Sequence, residues 1–211
     1  MTSLTTRILT VTLGVFFLIS APAHAGYLAI SESGEILPDN EYQFGLAPQL
    51  LLNEGGGANV DAFVDAPYND STSFRGMAGF GAVDFHIGGS VKFIPFPDID
   101  NQPAIGGRLG AWYARDAEVN TTTIQLAPLV SRRLDSEYGR FVPYAAIPVN
   151  ITSTKDRNFS GTQFVAGTEW RNPQWPNMLF TGELAINLND SYSALNFSVA
   201  FPFDGSRGFR R

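Results

Sequence analysis

Residues 192–203, YSALNFSVAFPF, alternate strictly in character. Leu195, Phe197, Val199, Phe201 and Phe203 take one parity, and Tyr192, Ala194, Asn196, Ser198 and Ala200 take the other. Strand side chains point alternately to opposite faces, so this pattern specifies a strand with one apolar and one polar face. It recurs along the chain, broken every ten to fifteen residues by Gly, Pro, Asn or Asp. The breaks divide 41–203 into ten expected strands, at 41–53, 58–67, 73–84, 86–96, 104–114, 121–130, 139–151, 159–170, 177–188 and 192–203. In the first, Tyr42, Phe44, Leu46, Pro48, Leu50 and Leu52 oppose Glu41, Gln43, Gly45, Ala47 and Gln49. Ten membrane strands of ~10 residues joined by turns of ~6–7 need roughly 160 residues, which is the length available. Ten is therefore the expected count, within a range of eight to twelve.

What the apolar face meets depends on composition. Charged residues make up only 16% of the chain and aromatic residues 13%, whereas a soluble domain carries ~25% charged residues. The polar parity is mostly Gly, Ala, Ser, Thr, Asn and Gln, and aromatic residues crowd the strand ends: Tyr42, Phe44, Trp112, Tyr113, Tyr138, Phe141, Trp170, Phe201 and Phe203. Strands facing lipid between two interfacial girdles produce this combination. The expected fold is all-β, a closed antiparallel up-and-down transmembrane β-barrel. A soluble lipocalin-like binder with its apolar face inward is the alternative. Five prolines within strands (Pro48, Pro128, Pro143, Pro148, Pro202) each remove a ladder donor. Pro48 and Pro128 call for bulges or different strand limits.

The first 25 residues read as a signal peptide. Arg7 opens it, ILTVTLGVFFLIS forms an apolar stretch at 8–20, and Ala23 and Ala25 set cleavage before Gly26. Residues 26–40 are expected as a periplasmic leader or short extra strand, 41–203 as the barrel and 204–211 as a C-terminal tail. Without Arg7 the mature chain has 13 basic against 20 acidic residues, which argues against nucleic acid as a partner. The chain has no cysteine, in keeping with a bacterial envelope protein.

LNFSVAFPF resembles the C-terminal insertion signal of small Gram-negative outer-membrane β-barrels, the OmpA-like or porin-like class, with Leu195, Phe197, Val199, Phe201 and Phe203 as the signal residues. RRLDSEYGRFVPYAAI is similar to the periplasmic turn and strand entry of that class. The resemblance implies the bacterial outer membrane, outer-membrane lipids as surroundings, and periplasmic chaperones and barrel-assembly machinery during biogenesis. A monomer is expected. The departure from the class is DGSRGFRR, which follows the terminal aromatic and is read as a basic or frayed tail.

For chemistry, Asp84 and His86 in GAVDFHIGG are the candidates. DFH resembles the Asp-x-His element of omptin proteases, and a His with Ser90 resembles part of the lipid A deacylase set. Residues i and i+2 of a strand stand ~6.5–7 Å apart, so the pair is not placed to bond directly. No metal or cofactor is expected, since the mature chain has a single histidine and no cysteine. The expected function is structural or small-solute passage without catalysis, with an outer-membrane hydrolase using His86 as an alternative. The lumen-facing polar candidates are Glu41, Asp61, Asp65, Asp84, His86, Arg108, Glu169 and Glu183. Arg108 needs a carboxylate, which Glu169 or Glu183 is expected to supply. The barrel is then either plugged by its own side chains or a narrow, cation-preferring pore.

Overall fold

The computed structural model describes residues 29–52, 56–100, 102–206 and 208–209. The expected signal peptide and residues 26–28 lie outside the described residues. The strands run β1 Glu41–Leu51, β2 Gly57–Asn69, β3 Thr72–Gly81, β4 Phe85–Phe96, β5 Ala104–Asp116, β6 Val119–Ser131, β7 Leu134–Ser136, β8 Gly139–Ala146, β9 Val149–Ser153, β10 Asn158–Arg171, β11 Leu179–Asn189, β12 Ala194–Asp204 and β13 Gly208–Phe209. Each long strand pairs antiparallel with its neighbours, and β12 pairs back onto β1 from Glu41↔Asp204 to Leu51↔Ala194, which closes the sheet. The β8 and β9 segments lie end to end between β6 and β10 and form one stave. The wall is thus a ten-stave antiparallel barrel, the expected architecture. Both its ends, at Glu41 and Asp204, lie at one rim, called here the terminal rim.

The prolines are accommodated without the expected bulges. Leu129↔Ala146 and Leu126↔Val149 keep one register across the gap between β8 and β9. Ala127–Pro128 therefore stands opposite Ile147–Pro148, and the two prolines lose their rungs at the same place. The Ile147 N–H still donates to the Pro128 carbonyl at 3.2 Å. Pro48 likewise sits in a lapse between Leu46↔Val199 and Gln49↔Asn196, with the register unchanged. Bulges occur elsewhere, at Pro67/Asn69, Phe93/Phe96 and Thr162/Gln163.

Burial alternates along the staves, and it runs opposite to that of a soluble barrel. Gln125 is fully buried while its neighbour Leu126 is 56% exposed. The same contrast holds for Gln49 against Leu50 and Asp61 against Val60. The exposed apolar side chains, among them Leu46, Val64, Leu109, Ile124, Ile151 and Phe197, form a belt far beyond the few hundred Å² a soluble monomer exposes. At the terminal rim this belt is edged by aromatic stacks: Tyr42 on Phe203 at 5.3 Å, Phe44 on Phe201 at 5.4 Å, and Phe141 on Trp170 at 5.9 Å. The lipocalin-like alternative needs the reverse orientation and is set aside. Trp112, expected in a girdle, turns inward and is buried, stacked beside Arg108 at 5.0 Å.

The chain outside the barrel strands corrects two further expectations. The segment expected as a leader or extra strand forms no strand over residues 29–38. It turns into the barrel, and residues 29–34 are buried there. The tail beyond Phe203 does not fray over its described part. It folds back as a hairpin, pairing Phe203↔Phe209 and Asp204↔Gly208.

Candidate functional site: a plugged lumen

The lumen toward the opposite rim is lined mostly by amide and hydroxyl side chains and is cross-linked from stave to stave. Asn59 donates to Gln49 at 2.9 Å, Gln125 to Asn150 at 3.0 Å, and Thr123 and Thr152 share a hydrogen bond at 2.8 Å. Each of these is a directly opposed pair in the ladder, where such contacts reinforce the sheet. His86 also points into this half, and its partner is Asp61 through Nε2. The two stand on β4 and β2, on either side of Gly79 of β3. A Cβ at position 79 would collide with both side chains, so only glycine lets them meet. Gly79→Ala is expected to break the pair and to cost about 1–3 kcal/mol, the penalty for stranding a buried polar group, read in urea refolding into detergent or lipid. Asp84 has no share in this contact. It lies exposed in the turn after β3 and accepts the Ala117 N–H at 2.8 Å, joining two turns of the opposite rim. The expectation that it faces the lumen does not hold.

The lumen toward the terminal rim is charged, and its charges are sorted by side. Arg75, Lys92 and Arg108 project from the adjacent strands β3, β4 and β5, while Glu169 and Glu183 project from β10 and β11. All five are buried. Lys92 and Arg108 are directly opposed in the ladder, a like-charge arrangement that by itself destabilises a sheet. Asp65 answers Arg75 with a bidentate pair at 2.6 and 2.8 Å. The counter-ion of the other two is Glu32, which comes from the inserted segment. Its carboxylate lies 3.1 Å from Lys92 and 3.3 Å from Arg108. For Arg108 the sequence points to Glu169 or Glu183, and the structure places Glu32 there instead.

Both those carboxylates instead hold the main chain of residues 29–35, here called the plug. The N–H groups of Ile30 and Ser31 donate to Glu183 at 3.1 and 2.6 Å, and the Ser33 N–H donates to Glu169. The carbonyls turn the other way. Ala29 and Ile30 accept from Arg108 at 3.2 and 2.8 Å, Ile30 and Ser31 from Arg75 at 3.1 and 3.2 Å, and Ser33 and Glu35 from Lys92 at 2.9 and 2.7 Å. An extended chain would send the Ile30 and Ser31 carbonyls to opposite sides. Ser31 has φ +45°, in the left-handed region, and this turns both toward Arg75. Glu183 also accepts Tyr144 Oη at 2.7 Å and Asn196 Nδ2 at 2.8 Å, so four donors fill the capacity of one buried carboxylate.

At the rim the plug is clamped again. Gly34 N–H donates to Ser131 Oγ at 3.0 Å, and Arg133 pairs with Glu35 at 2.7 Å. That bond raises the Arg133 guanidinium above its ordinary range. Glu41, also buried at this rim, stands 4.0 Å from Arg171. The space beside the plug, bordered by Glu32, Gln43, Arg75, Lys92 and Glu169, is a cavity of about 30 Å³, room for one or two waters. Among the described residues no cluster of three or more His, Asp or Glu is placed to hold a metal ion.

Fold and site together define a class: a closed transmembrane β-barrel with a polar lumen occupied by an inserted segment of its own chain. No protein-family model matches the chain, and no curated protein does. Among solved structures it is similar to a de novo designed transmembrane β-barrel (10% identity, TM-score 0.41, 80% of this chain and 99% of that one). It is similar also to a bacterial polysaccharide outer membrane secretin (13%, 0.48, 78% and 66%) and to the translocator domain of the autotransporter NalP from Neisseria meningitidis (10%, 0.48, 98% and 98%).

Proposed function

We propose that the protein is a Gram-negative outer-membrane barrel, closed at rest by its N-terminal plug, that passes small solutes when the plug leaves. The observation that carries this reading is the chemistry of the closure. A barrel with a purely structural role needs only neutral or apolar filling, because buried charges carry a desolvation penalty. Here three cations and several carboxylates face the lumen, and the counter-ion of two of the cations, Lys92 and Arg108, comes from a segment without a helix or strand of its own. With the plug out, the same charges would line a hydrated passage.

The test is conductance in planar bilayers. Wild-type protein is expected to give no steady single-channel steps. Glu32→Arg, which sets a third cation between Lys92 and Arg108, is expected to expel the plug and give them. A variant that stays silent while the plug is shown to be displaced would leave the structural role as the better reading. Export through a cleaved signal peptide, assembly by the barrel machinery and a monomeric state belong to the same proposal. Heat-modifiable migration on gels together with outer-membrane fractionation checks the location.

The protein is further proposed to be non-catalytic, with Asp61–His86 serving the packing of three staves. His86→Ala is expected to leave lipid A and peptide profiles of the cell unchanged. A lost deacylation or cleavage product would favour the hydrolase alternative.

A further inference from the structure

We infer that the berth of the plug is a binding site for peptide main chain, so that the solute class this barrel takes is the short peptide. This rests on the reading that the plug can leave. Nine main-chain atoms of residues 29–35 are hydrogen-bonded to the wall, four as N–H donors and five as carbonyl acceptors. These are atoms every peptide carries. Three side chains add to these contacts. Ile30 is packed in the apolar part of the lumen, Glu32 bridges Lys92 and Arg108, and Glu35 meets Arg133 at the rim.

The sorting of the wall narrows the class. Carboxylates of β10 and β11 receive N–H donors; cations of β3, β4 and β5 receive carbonyls. Through the left-handed turn at Ser31 (φ +45°) the plug presents N–H donors to one side and carbonyls to the other, an arrangement that a short peptide reaches by taking the same turn. A sugar presents hydroxyls that donate and accept alike in all directions, and gains nothing from the division. A phosphorylated solute would set its phosphate where the Glu32 carboxylate lies, but it would offer Glu169 and Glu183 no row of N–H donors. One side-chain preference follows. Lys92 and Arg108 need a carboxylate between them, so peptides with an acidic residue at the position of Glu32 are favoured.

In the resting protein the plug competes with any such peptide at an effective concentration on the order of millimolar, because it is tethered. The experiment therefore uses full-length chains whose plug is weakened but whose wall is untouched, Glu32→Arg and, independently, Ser33→Pro, which removes the N–H that Glu169 accepts. The probes are a synthetic peptide of residues 29–37, AISESGEIL; an order-scrambled version keeping Ser, Glu and Gly at the third, fourth and sixth places, because Ser31 is left-handed and a Cβ at Gly34 would collide with Ser131 and Ala104; a version N-methylated at the positions of Ile30, Ser31 and Ser33; and maltose. Binding is read twice, as block of conductance and, in chains that also carry Trp170→Phe and Trp175→Phe, as a change in the fluorescence of Trp112 beside Arg108.

The native and scrambled peptides are expected to bind within about threefold of each other. The methylated one is expected to be weaker by about tenfold or more, since it loses hydrogen bonds to charged groups, and maltose is expected to be inert. Equal binding of the methylated peptide, failure of the scrambled one, or equal block by maltose would overturn the inference. Fluorescence separates the two readings. A variant that binds peptide but never conducts retains this site and removes the passage role; one that conducts yet ignores every peptide does the opposite.

Discussion

Glu183→Ala is expected to release the plug while leaving the barrel standing. The substitution strands the N–H groups of Ile30 and Ser31, the Tyr144 hydroxyl and the Asn196 amide, all of which meet on that carboxylate. It also leaves Arg75 and Arg108 with less opposing charge. Removing one partner from a buried charged cluster costs about 3–5 kcal/mol, and here most of that falls on the docked segment. The ladder of β11 with β10 and β12 is main chain and is unaffected. Amide exchange at Ser31 and Ser33 should accelerate by roughly 100-fold or more, since each 1.4 kcal/mol is a factor of ten, while exchange at Gln125 and Leu126 stays slow. Unchanged exchange at Ser31 and Ser33 would mean that the plug is held elsewhere. Glu183→Gln keeps the shape and one acceptor but turns an amide N–H₂ toward incoming donors, so an intermediate effect is expected.

The second large effect is on the outer wall. Leu126→Arg places a charge in the middle of β6 on the face that Leu126 exposes. In a bilayer this is expected to cost about 2–4 kcal/mol, and a matched charge near an interface about 0–1 kcal/mol. Ser153→Arg, at the opposite-rim end of β9, supplies that control. Refolding into phospholipid vesicles over a urea series measures both. If the two substitutions cost the same, the belt does not contact hydrocarbon.

The wall was legible in the sequence because alternation is a local property. Leu195 to Phe203 and Glu41 to Gln49 state their faces without reference to any neighbour, and the staves follow them. Three things were not legible, each because it depends on what stands across the barrel. Trp112 reads as a girdle residue near a strand end, but its parity matches Arg108 and Gly110, and it turns inward with them. The partner of His86 is not Asp84 two places away but Asp61 two staves away, reached over a glycine. The spacing of residues on one strand spoke against Asp84 as the partner but did not point to Asp61. The plug left the weakest trace. Its contacts are made by backbone atoms, which every residue has, and AISESGEIL shows neither period. Its single signal was an excess. Arg75, Lys92 and Arg108 on one parity of adjacent strands ask for anions, and Glu32 lies before the first strand.

The short link between plug and wall limits how the berth can empty. Only Pro38, Asp39 and Asn40 separate Leu37 from β1. They form a tight turn in which Glu41 N–H donates to the Pro38 carbonyl at 3.0 Å, Asn40 has φ +62°, and its carbonyl accepts Gly205 N–H at 2.8 Å from the C-terminal hairpin. The pivot is therefore pinned on both sides, and the nine described residues before it, 29–37, span at most about 30 Å when extended. A segment on so short a leash swings back over the rim by which it entered. The exit that the proposed opening would use is therefore the terminal rim, where Glu41 and Asp204 close the wall.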